Sequence, residues 1–539
     1  MNNEAGQLLS KAHQLFKAGD MDRAVPLYRQ TLEIDANNLM ALNNLGTIYL
    51  TKGNYDESAC WLNRALTIDP NSFIANSNLG FILLQSGKYL EAAEHFMTAL
   101  KKEPEQAFLW NDLGDALRNS GQFAAAADCY KKAVKINPDY IDSYMGLGEI
   151  AAKKEKPSAT QDAIGYFNKA LSLDENNAKA HYELSRIYYL QTCEFEQAVY
   201  HAQKALSIKP GFDEANITLA ELLLKQGNFS EGFPLFDQSR HLYIDKQTSR
   251  YQFFQMIPRW HGESFSGKRI IIGEDGGFGG FGDHIMFARY IPLVKQRGGC
   301  VTLPVKKELF RLFKSLDGIE PDELLLPTGD AIQPEDFDLQ IPFISLPTVF
   351  KTSLDTIPKA PYLSVGPELN TIWKSRVNNT CDASSNNLKV GLVWACNPNK
   401  QGNPQHRACD IQTLKPLFDL PNVTYYNLQI GEAVNELSEC GIQNIIDLTG
   451  HIEDFADTAA LISNLDLVIS VDTAVAHLTG AIGRPVWLIL SFVSVWYWLI
   501  DRIDSPWYPS MRVFHSKTPG DWSGVVEEVR KQLQSMHNS

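Results

Sequence analysis

The most glycine-rich stretch of the chain is "GEDGGFGGFGDHI", residues 273–285. Gly277, Gly279 and Gly282 have the G-x-G-x-x-G spacing that lets a backbone approach the phosphates of a dinucleotide. A nicotinamide site of this kind also needs an acidic residue about 20 positions later, at the end of the next strand, to bind the ribose. The corresponding segment, "GCVTLPVKKEL", has a predicted strand that ends at Lys306 without an acid. The pattern therefore argues against a dehydrogenase.

A second group of chemically competent residues lies in "ISVDTAVAHLTGAIGRPVWLIL", residues 469–490. A predicted strand ends there, Asp472 and Thr473 make a turn, and a helix begins at Ala474. The N–H groups at a helix start bind phosphate, and the Thr473 hydroxyl can add a donor. His477 lies one turn later on the same face and can hydrogen-bond a leaving phosphate. Two plainer interpretations stay open, in which Asp472 only caps the helix and His477 is a satisfied core histidine.

Polar residues also follow two further predicted strands. Asn397, Lys400 and Arg407 lie in the loop "ACNPNKQGNPQHRACD", where basic side chains can neutralise phosphate charge. Gln429 ends the strand "VTYYNLQ", and we expect it to contact a base or a sugar. The alternative for the loop is ordinary solvated charge.

Two sets of alternating strands and helices must position these residues. The first set, residues 246–376, contains the strand "RIIIG", the glycine-rich loop and the amphipathic helix "DHIMFARYIPLVKQRG". A polar linker at 377–387 separates it from the second set, residues 388–539, whose strands include "KVGLVWA", "LDLVISV" and "PVWLIL". The alternation predicts two open parallel sheets, each of which binds ligands at the carboxyl ends of its strands.

Residues 1–245 carry an internal repeat with a regular period. "NLGTIYLTKGNYDESACWLNRALTIDP" (44–70), "NLGFILLQSGKYLEAAEHFMTALKKEP" (78–104) and "DLGDALRNSGQFAAAADCYKKAVKINP" (112–138) share one pattern. It resembles the tetratricopeptide repeat, a helix–turn–helix unit of about 34 residues, and about seven copies run from position 5 to position 243. The resemblance implies an α-solenoid whose concave groove holds a partner protein.

Asn44, Asn78 and Asp112 occupy the same position in three consecutive repeats. Polar side chains in such a row can hydrogen-bond the backbone of a threaded peptide without reading its sequence. The row is similar to the asparagine ladder of O-linked N-acetylglucosamine transferases. The alternative is a position that is merely solvated.

Composition and charge narrow the class of protein. The chain has 539 residues and a formal net charge of −14, which argues against a nucleic-acid partner because phosphate binding needs a basic face. The eight cysteines are scattered without metal-ligand spacing. The apolar stretch at 485–500 is too short to span a bilayer. The start, "MNNEAGQLLSKAH", lacks the features of a signal peptide, and we expect a cytoplasmic protein.

Several segments of the second half resemble the heptosyltransferase-like glycosyltransferases, and in particular bacterial members that are fused to tetratricopeptide repeats. These segments are "ISVDTAVAHLTGAIGRPVWLIL", "VGLVWACNP", "DFADTAALI" and "DRIDSPWYPSMRVF". The resemblance implies an α-solenoid followed by an α/β GT-B fold of two Rossmann-like lobes. The first lobe would face the acceptor and the second the nucleotide sugar. Relatives often read Leu-Gln-Lys where this chain has Leu428, Gln429 and Ile430, and this departure bears on the identity of the donor.

The same resemblance assigns roles to the end of the glycine-rich loop. "GFGD" matches a Gly-Leu-Gly-Asp type of loop, in which Gly280 and Gly282 allow close approach. Asp283 would be the general base that takes the proton of the acceptor hydroxyl. His284, whose ordinary pKa is nearer neutrality, is the rival base. The alternative is that Asp283 only caps the helix.

These residues together predict a protein O-glycosyltransferase with a nucleotide sugar as co-substrate. Flagellin is the leading acceptor, a nonulosonic acid or an N-acetylhexosamine is the leading sugar, and inversion is the expected stereochemical outcome. We expect no metal and no cofactor. Two alternatives stay open: a non-catalytic scaffold with a decayed transferase half, and a transferase for surface polysaccharide.

Overall fold

The computed structural model describes residues 2–154, 156–244, 246–275, 279–316, 319–320, 323–325, 332–380, 387–396, 407–442, 444–518 and 520–537. The chain divides into two compact units, Met1–Thr192 with Ser207–Pro210, and Cys193–Leu206 with Gly211–Ser539. The first unit is helical, and the second is built on two parallel sheets.

The helices of the first unit alternate in pairs, as the repeat period predicts. They are α1 (Asn2–Lys17), α2 (Met21–Ile34), α3 (Leu39–Thr51), α4 (Tyr55–Ile68), α5 (Phe73–Gln85), α6 (Tyr89–Lys102), α7 (Ala107–Asn119), α8 (Phe123–Ile136), α9 (Ile141–Ala152), α10 (Pro157–Leu173) and α11 (Ala178–Ile187).

Close packing within each pair explains one repeated glycine. A Cβ atom on Gly46 would overlap the Leu62 side chain, and one on Gly80 would lie 2.7 Å from Phe96 Cδ1. In these two pairs the first helix thus presents bare backbone to a large side chain of the second helix. The repeat solenoid is therefore confirmed, and its period reflects a packing requirement.

Four more helices precede the sheets and continue the helical pattern of the repeats; they belong to the second unit except for the last two residues of the first of them. They are α12 (Phe195–Ile208), α13 (Asp213–Lys225), α14 (Phe229–Ser239) and α15 (Ser249–Gln255). The domain boundary that the sequence places at residue 245 stays a prediction.

The first sheet has four parallel strands in the order β3-β2-β1-β4. The strands are β1 (Arg269–Gly273), β2 (Cys300–Pro304), β3 (Leu324–Leu325) and β4 (Leu339–Pro342). Its helices are α16 (Phe281–Ala288), α17 (Ile291–Lys295), α18 (Lys307–Phe313), α19 (Leu346–Val349) and α20 (Pro367–Asn378).

Two sequence-based boundaries in this lobe differ from the structure. The single helix predicted after the glycine-rich loop is two helices, α16 and α17, with Pro292 in the first turn of the second. Proline fits a helix start because it has no N–H to donate, and it disfavours a continuous helix. The predicted linker at 377–387 begins inside α20, and its residues 381–386 lie outside the described residues.

The second sheet has six parallel strands in the order β10-β9-β8-β5-β6-β7. They are β5 (Leu388–Val393), β6 (Val423–Asn427), β7 (Ile445–Asp447), β8 (Leu467–Ser470), β9 (Val486–Leu490) and β10 (Met511–His515). Its helices are α21 (Ile411–Leu414), α22 (Asn435–Glu439), α23 (Phe455–Ser463), α24 (Ala474–Ala481) and α25 (Ser523–His537). The two-sheet α/β fold is confirmed and is consistent with the predicted GT-B type, and β10 is a strand that the sequence analysis did not predict.

Strand order fixes where ligands can bind in such sheets. The first sheet reverses its strand order between β1 and β4, and the second reverses between β5 and β8. In open α/β sheets the crevice at the carboxyl ends of these strands is the usual ligand site. The glycine-rich loop follows β1, and Asp472 follows β8. Both motifs therefore stand at the reversal points of their sheets.

Candidate functional site

Asp283 lies in the first turn of α16, where the glycine-rich loop ends. Gly280 is the cap residue of this helix, and Asp283 Oδ2 accepts a hydrogen bond from the Gly280 N–H at 2.9 Å. Asp283 is therefore the third helical residue and not the cap residue itself. Because its carboxylate accepts from the N–H of the cap residue, it helps to cap the helix, and the capping alternative stays open. A carboxylate accepts several hydrogen bonds at once, so this contact orients the side chain and is compatible with a second acceptor role.

His284, the rival base, is buried, and only 2% of it is exposed. Its Nδ1 lies 3.1 Å from the Gly280 carbonyl oxygen and its Nε2 lies 3.2 Å from Glu274 Oε1. Burial lowers the pKa of His284, and the Glu274 carboxylate partly offsets that effect. Because both ring nitrogens face protein acceptors, the geometry favours Asp283 as the group that meets a substrate.

Glu274, which the sequence analysis did not single out, is the centre of the polar contacts below the loop. Its carboxylate pairs with Arg250, with Lys306 at 2.9 Å and with His284. A Cβ atom on Gly279 would overlap this carboxylate, so a glycine lets the loop cross it without displacing the ion pairs. The available sequence signal was the place of Glu274 directly after the buried strand β1.

A small cavity lies at the same reversal point of the first sheet. It has a volume of about 10 Å³ and is lined by Glu274, Asp283, His284 and Pro342 among others. That volume is enough for about one water molecule. The cavity is therefore too small to hold a sugar.

On the second lobe, Asp472 is buried, with 3% of its surface exposed, and forms an ion pair with Arg407. Arg407 Nη2 lies 3.0 Å from Asp472 Oδ2 and donates to the Asp472 carbonyl oxygen at 2.8 Å. Burial by itself would lower the pKa of Arg407, but the Asp472 carboxylate raises it above its usual value. Arg407, which the sequence analysis predicted to neutralise phosphate charge, is thus already paired with the Asp472 carboxylate of the same lobe.

The N-terminal end of α24 is formed by Thr473, which is its cap residue. The alternative in which Asp472 caps this helix is wrong, because its carboxylate faces Arg407. Thr473 Oγ1 lies 2.9 Å from Ser470 Oγ. Within the described part of the chain, the backbone N–H groups of Ala474 and Val475 have no backbone hydrogen-bond acceptor. This helix start therefore keeps the donors that phosphate binding requires.

His477 is buried in aromatic surroundings. Its Nδ1 lies 3.0 Å from the Tyr508 hydroxyl, and its ring stacks on Trp498 with centroids 4.8 Å apart. Burial lowers the pKa of His477 to about 3, with further contributions from Arg289 and Arg407, so the ring is neutral at physiological pH. These contacts fit the core-histidine interpretation, and the role in phosphate binding stays a prediction.

The two lobes meet at this histidine. A Cβ atom on Gly282 of α16 would lie only 2.9 Å from His477 Cδ2 of α24. Gly282 thus lets the helix that carries Asp283 approach the helix that begins at Thr473. This close approach is a packing role for a glycine that the sequence analysis assigned to substrate access.

Tyr497 completes the group and was not predicted. Its ring centroid lies 5.3 Å from that of His477. Burial raises its pKa, the carboxylates of Asp472 and Asp283 raise it further, and Arg407 lowers it. Asp283 of the first lobe and the Arg407–Asp472 pair of the second therefore act on one tyrosine. Its sequence signal was an aromatic-rich segment after β9 that composition alone could not connect to a site.

The Gln429 side chain forms hydrogen bonds with backbone atoms of the second lobe. Its Oε1 accepts from the backbone N–H groups of Trp394 at 3.3 Å and Ala395 at 2.9 Å, and its Nε2 donates to the Ile430 carbonyl oxygen. It therefore ties the end of β6 to the end of β5. The adjacent Ile430 side chain is 58% exposed. The predicted donor contacts Asn397 and Lys400 lie outside the described residues.

The polar row of the repeats is engaged within the array. Asn44 is 7% exposed and donates to the Tyr28 hydroxyl at 2.9 Å, so the merely solvated alternative is wrong for this residue. Asn78 donates to Thr47 Oγ1 of the preceding repeat, also at 2.9 Å. Burial raises the pKa of Asp112 to about 7, with a further contribution from neighbouring carboxylates. Peptide binding by this row stays a prediction.

The described residues contain no group of three or more His, Cys, Asp or Glu side chains that could hold a metal ion. None of their helices combines the length and the apolar character needed to cross a membrane.

Segments of both halves of the chain match known protein families. Residues 9–73 and 114–154 match tetratricopeptide repeat families. Residues 429–489 match the family described as glycosyltransferase family 9 (heptosyltransferase). The chain thus combines tetratricopeptide repeats with a glycosyltransferase family 9 segment, and that segment contains Gln429, Asp472 and His477.

Among curated proteins, the chain is similar to Protein FlbA of Caulobacter vibrioides, with 27% identity over 405 residues. The alignment covers 69% of this chain and 64% of that relative. The chain therefore spans slightly less than two thirds of the length of FlbA.

Solved structures with partial likeness are repeat proteins. They include MamA of Desulfovibrio magneticus (21% identity, 32% of this chain, 97% of that chain, TM-score 0.30) and YrrB, described as a repeat protein with an unusual peptide-binding site (21%, 35%, 95%, 0.31). A repeat protein of Parabacteroides merdae has 15% identity over 46% of this chain and 95% of that chain, with a TM-score of 0.37. These scores are below 0.5, and no conclusion about this chain follows from them.

Proposed function

We propose that this chain is a protein O-glycosyltransferase that moves a sugar from a nucleotide sugar to Ser or Thr hydroxyls of a protein. The observation that carries the proposal is the meeting of α16 and α24. Asp283 and the start of α24 come from different lobes, and Gly282 brings the two helices together. The family 9 match over residues 429–489 supports the same class of reaction.

In the proposed reaction, Asp283 accepts the proton of the acceptor hydroxyl as its oxygen attacks the anomeric carbon. The bond between that carbon and the phosphate oxygen breaks, and the electron pair leaves with the nucleotide. Attack from the side opposite the leaving group inverts the anomeric configuration. The Gly280 N–H holds the carboxylate in orientation at 2.9 Å.

The leaving phosphate would bind at the first turn of α24. The N–H groups of Ala474 and Val475 and the Thr473 hydroxyl are the proposed donors, and the partial positive charge of a helix start favours the developing negative charge. Arg407 would contribute charge only in part, because Asp472 already pairs with it at 3.0 Å.

The acceptor is proposed to be a protein in the groove of the repeats, and flagellin is the first acceptor to test. A nonulosonic acid or an N-acetylhexosamine is the proposed sugar, and the cytoplasm is the proposed location. The supporting argument is architectural, since tetratricopeptide solenoids present concave surfaces to partner proteins.

Co-expression with candidate acceptors in a strain that makes several nucleotide sugars tests the proposal by intact mass. Wild type should add a defined sugar mass, and Asp283→Asn should reduce the transfer rate by about 100-fold or more, because a general base typically contributes that much. Asp355→Asn, a change to an exposed aspartate of the same lobe, is the matched control and should transfer normally.

Two results would contradict the proposal in different ways. Full transfer by Asp283→Asn would overturn the assignment of the base. An absence of any mass shift with wild type, together with retained binding of a partner protein, would favour a non-catalytic scaffold. Ile430 is the observation in favour of that second function, because an exposed isoleucine stands where proteins of the resembled family often carry a lysine.

A further inference from the structure

The segment between β9 and β10 forms one wall of the candidate site. We call residues 494–508, "SVWYWLIDRIDSPWY", the aromatic loop. Within it, Trp498 stacks on His477, the Tyr508 hydroxyl lies 3.0 Å from His477 Nδ1, and Tyr497 lies beside the same ring. The position of His477, and with it the first turn of α24, therefore depends on the conformation of this loop.

The backbone of the aromatic loop is strained. Leu499 has φ 56° and ψ 177°, and Asp501 has φ 54°. The conformation of Leu499 is one that almost only glycine adopts, because the Cβ atom of other residues clashes with the backbone. Leu499 is also buried, with 3% of its surface exposed. A conformation of this kind persists only where surrounding contacts hold it.

Lys225, the last residue of α13, supplies contacts on both sides of the strained residue. Its Nζ donates to the Ser494 carbonyl oxygen and lies 3.2 Å from Ser494 Oγ. Its own carbonyl oxygen accepts a hydrogen bond from the Ile500 N–H at 3.1 Å. One residue thus spans the loop from Ser494 to Ile500, with Leu499 in between.

Lys225 is 2% exposed, and burial lowers its pKa to about 8. Cys193, Glu221 and Asp472 partly offset that shift. Partial burial lowers the pKa of His515, and Lys225 lowers it further. Burial of a lysine is unfavourable unless the ammonium group is compensated, so its presence here calls for a role that an apolar residue could not fill.

Apolar contacts from the next helix support the same loop. The ring of Phe229 on α14 lies 5.6 Å from that of Trp507, and the ring of Phe233 lies 5.5 Å from that of Trp496. These contacts involve aromatic side chains of the loop. Lys225, by contrast, is hydrogen-bonded to the loop backbone at both ends of the strained turn.

We propose that Lys225 is a positioning residue of the transferase site. It holds the aromatic loop in the conformation in which Tyr497 and Trp498 pack against His477 beside the start of α24. The proposal rests on the proposed function. It also assigns α13, a helix of the repeat pattern, to the structure that builds the donor site.

Hydrogen exchange and transfer kinetics of the full chain test this role. Lys225→Met keeps the apolar stem and removes the donor. We expect backbone exchange in residues 494–500 to rise at least 10-fold. With UDP-N-acetylglucosamine and CMP-N-acetylneuraminic acid as donor probes, KM for the accepted donor should rise about 10-fold with kcat nearly unchanged. Lys204→Met, a change to an exposed lysine of the adjacent helix, should alter neither.

A second variant covers the case in which Lys225→Met does not fold. Ser494→Ala removes only the hydroxyl contact at 3.2 Å and should give a smaller change in the same direction. Unchanged exchange of residues 494–500 in both folded variants would overturn the proposal whatever the activity. If Lys225→Met exchanges faster but the wild type transfers no sugar, the positioning of the loop by Lys225 is supported and the proposed function is overturned.

Discussion

The neutral, buried state of His477 predicts a specific loss of stability in acid. The pKa of His477 falls from 6.5 to about 3 in the folded protein, because burial disfavours the imidazolium. The unfolded chain therefore binds more protons than the folded one between these values, and stability falls as the pH falls. Above pH 6.5 the full contribution is present, and it is lost progressively down to about pH 3.

The magnitude follows from the width of that window. At pH 5.0 the unfolded histidine is protonated and the folded one is not, and the gap of about 1.5 pH units corresponds to about 2 kcal/mol at roughly 1.4 kcal/mol per unit. Wild type should thus lose about 2 kcal/mol from this residue between pH 7.5 and pH 5.0. His477→Asn, which keeps an oxygen for the Tyr508 hydroxyl, should not show this part of the loss.

The assay is urea unfolding at both pH values, followed by tryptophan fluorescence, which reports mainly on the second unit because eight of the ten tryptophans lie there. His477→Asn will be less stable than wild type at pH 7.5, since it loses the stacking on Trp498, so the decisive quantity is the difference in pH dependence. The pKa of His515 is also lowered, but His515 is present in both proteins, so its contribution cancels in the comparison. His261→Asn, at an exposed position, is the control. An equal pH dependence in wild type and His477→Asn would refute the reasoning.

Three further changes test the packing of the site. Gly282→Ala should destabilise the second unit by about 1–3 kcal/mol, because its Cβ atom would lie 2.9 Å from the facing helix, whereas Gly165→Ala, in open space, should be neutral or stabilising in thermal melts. Arg407→Met should cost about 3 kcal/mol or more and raise KM for the donor, because it leaves the buried Asp472 without its ion pair; an unchanged melting temperature would contradict this. Glu274→Gln should speed hydrogen exchange in residues 279–285, since the ion pairs below the loop weaken, and normal protection there would show that the carboxylate does not order the loop.

Local features of the sequence were sufficient to predict the architecture. The repeat period located the helix pairs, and the alternation of apolar strands with amphipathic helices located the central strands of both sheets, β1 and β2 in the first and β5, β6, β8 and β9 in the second. These patterns are readable because each depends on neighbours close in the chain, as with Gly46 of α3, whose packing partner Leu62 lies on the next helix, α4. Helix ends were less accurate, as the division between α16 and α17 shows.

The sequence also located the two candidate motifs, those of Asp283 and Thr473, and the structure places each of them after a strand at the reversal point of its sheet. It could not determine the partners of the buried groups. Arg407 and Asp472 are 65 residues apart, and Lys225 and Ser494 are 269 apart, so no periodicity links them. A buried charge is stable only beside the group that compensates it, and the tertiary structure alone decides which group that is.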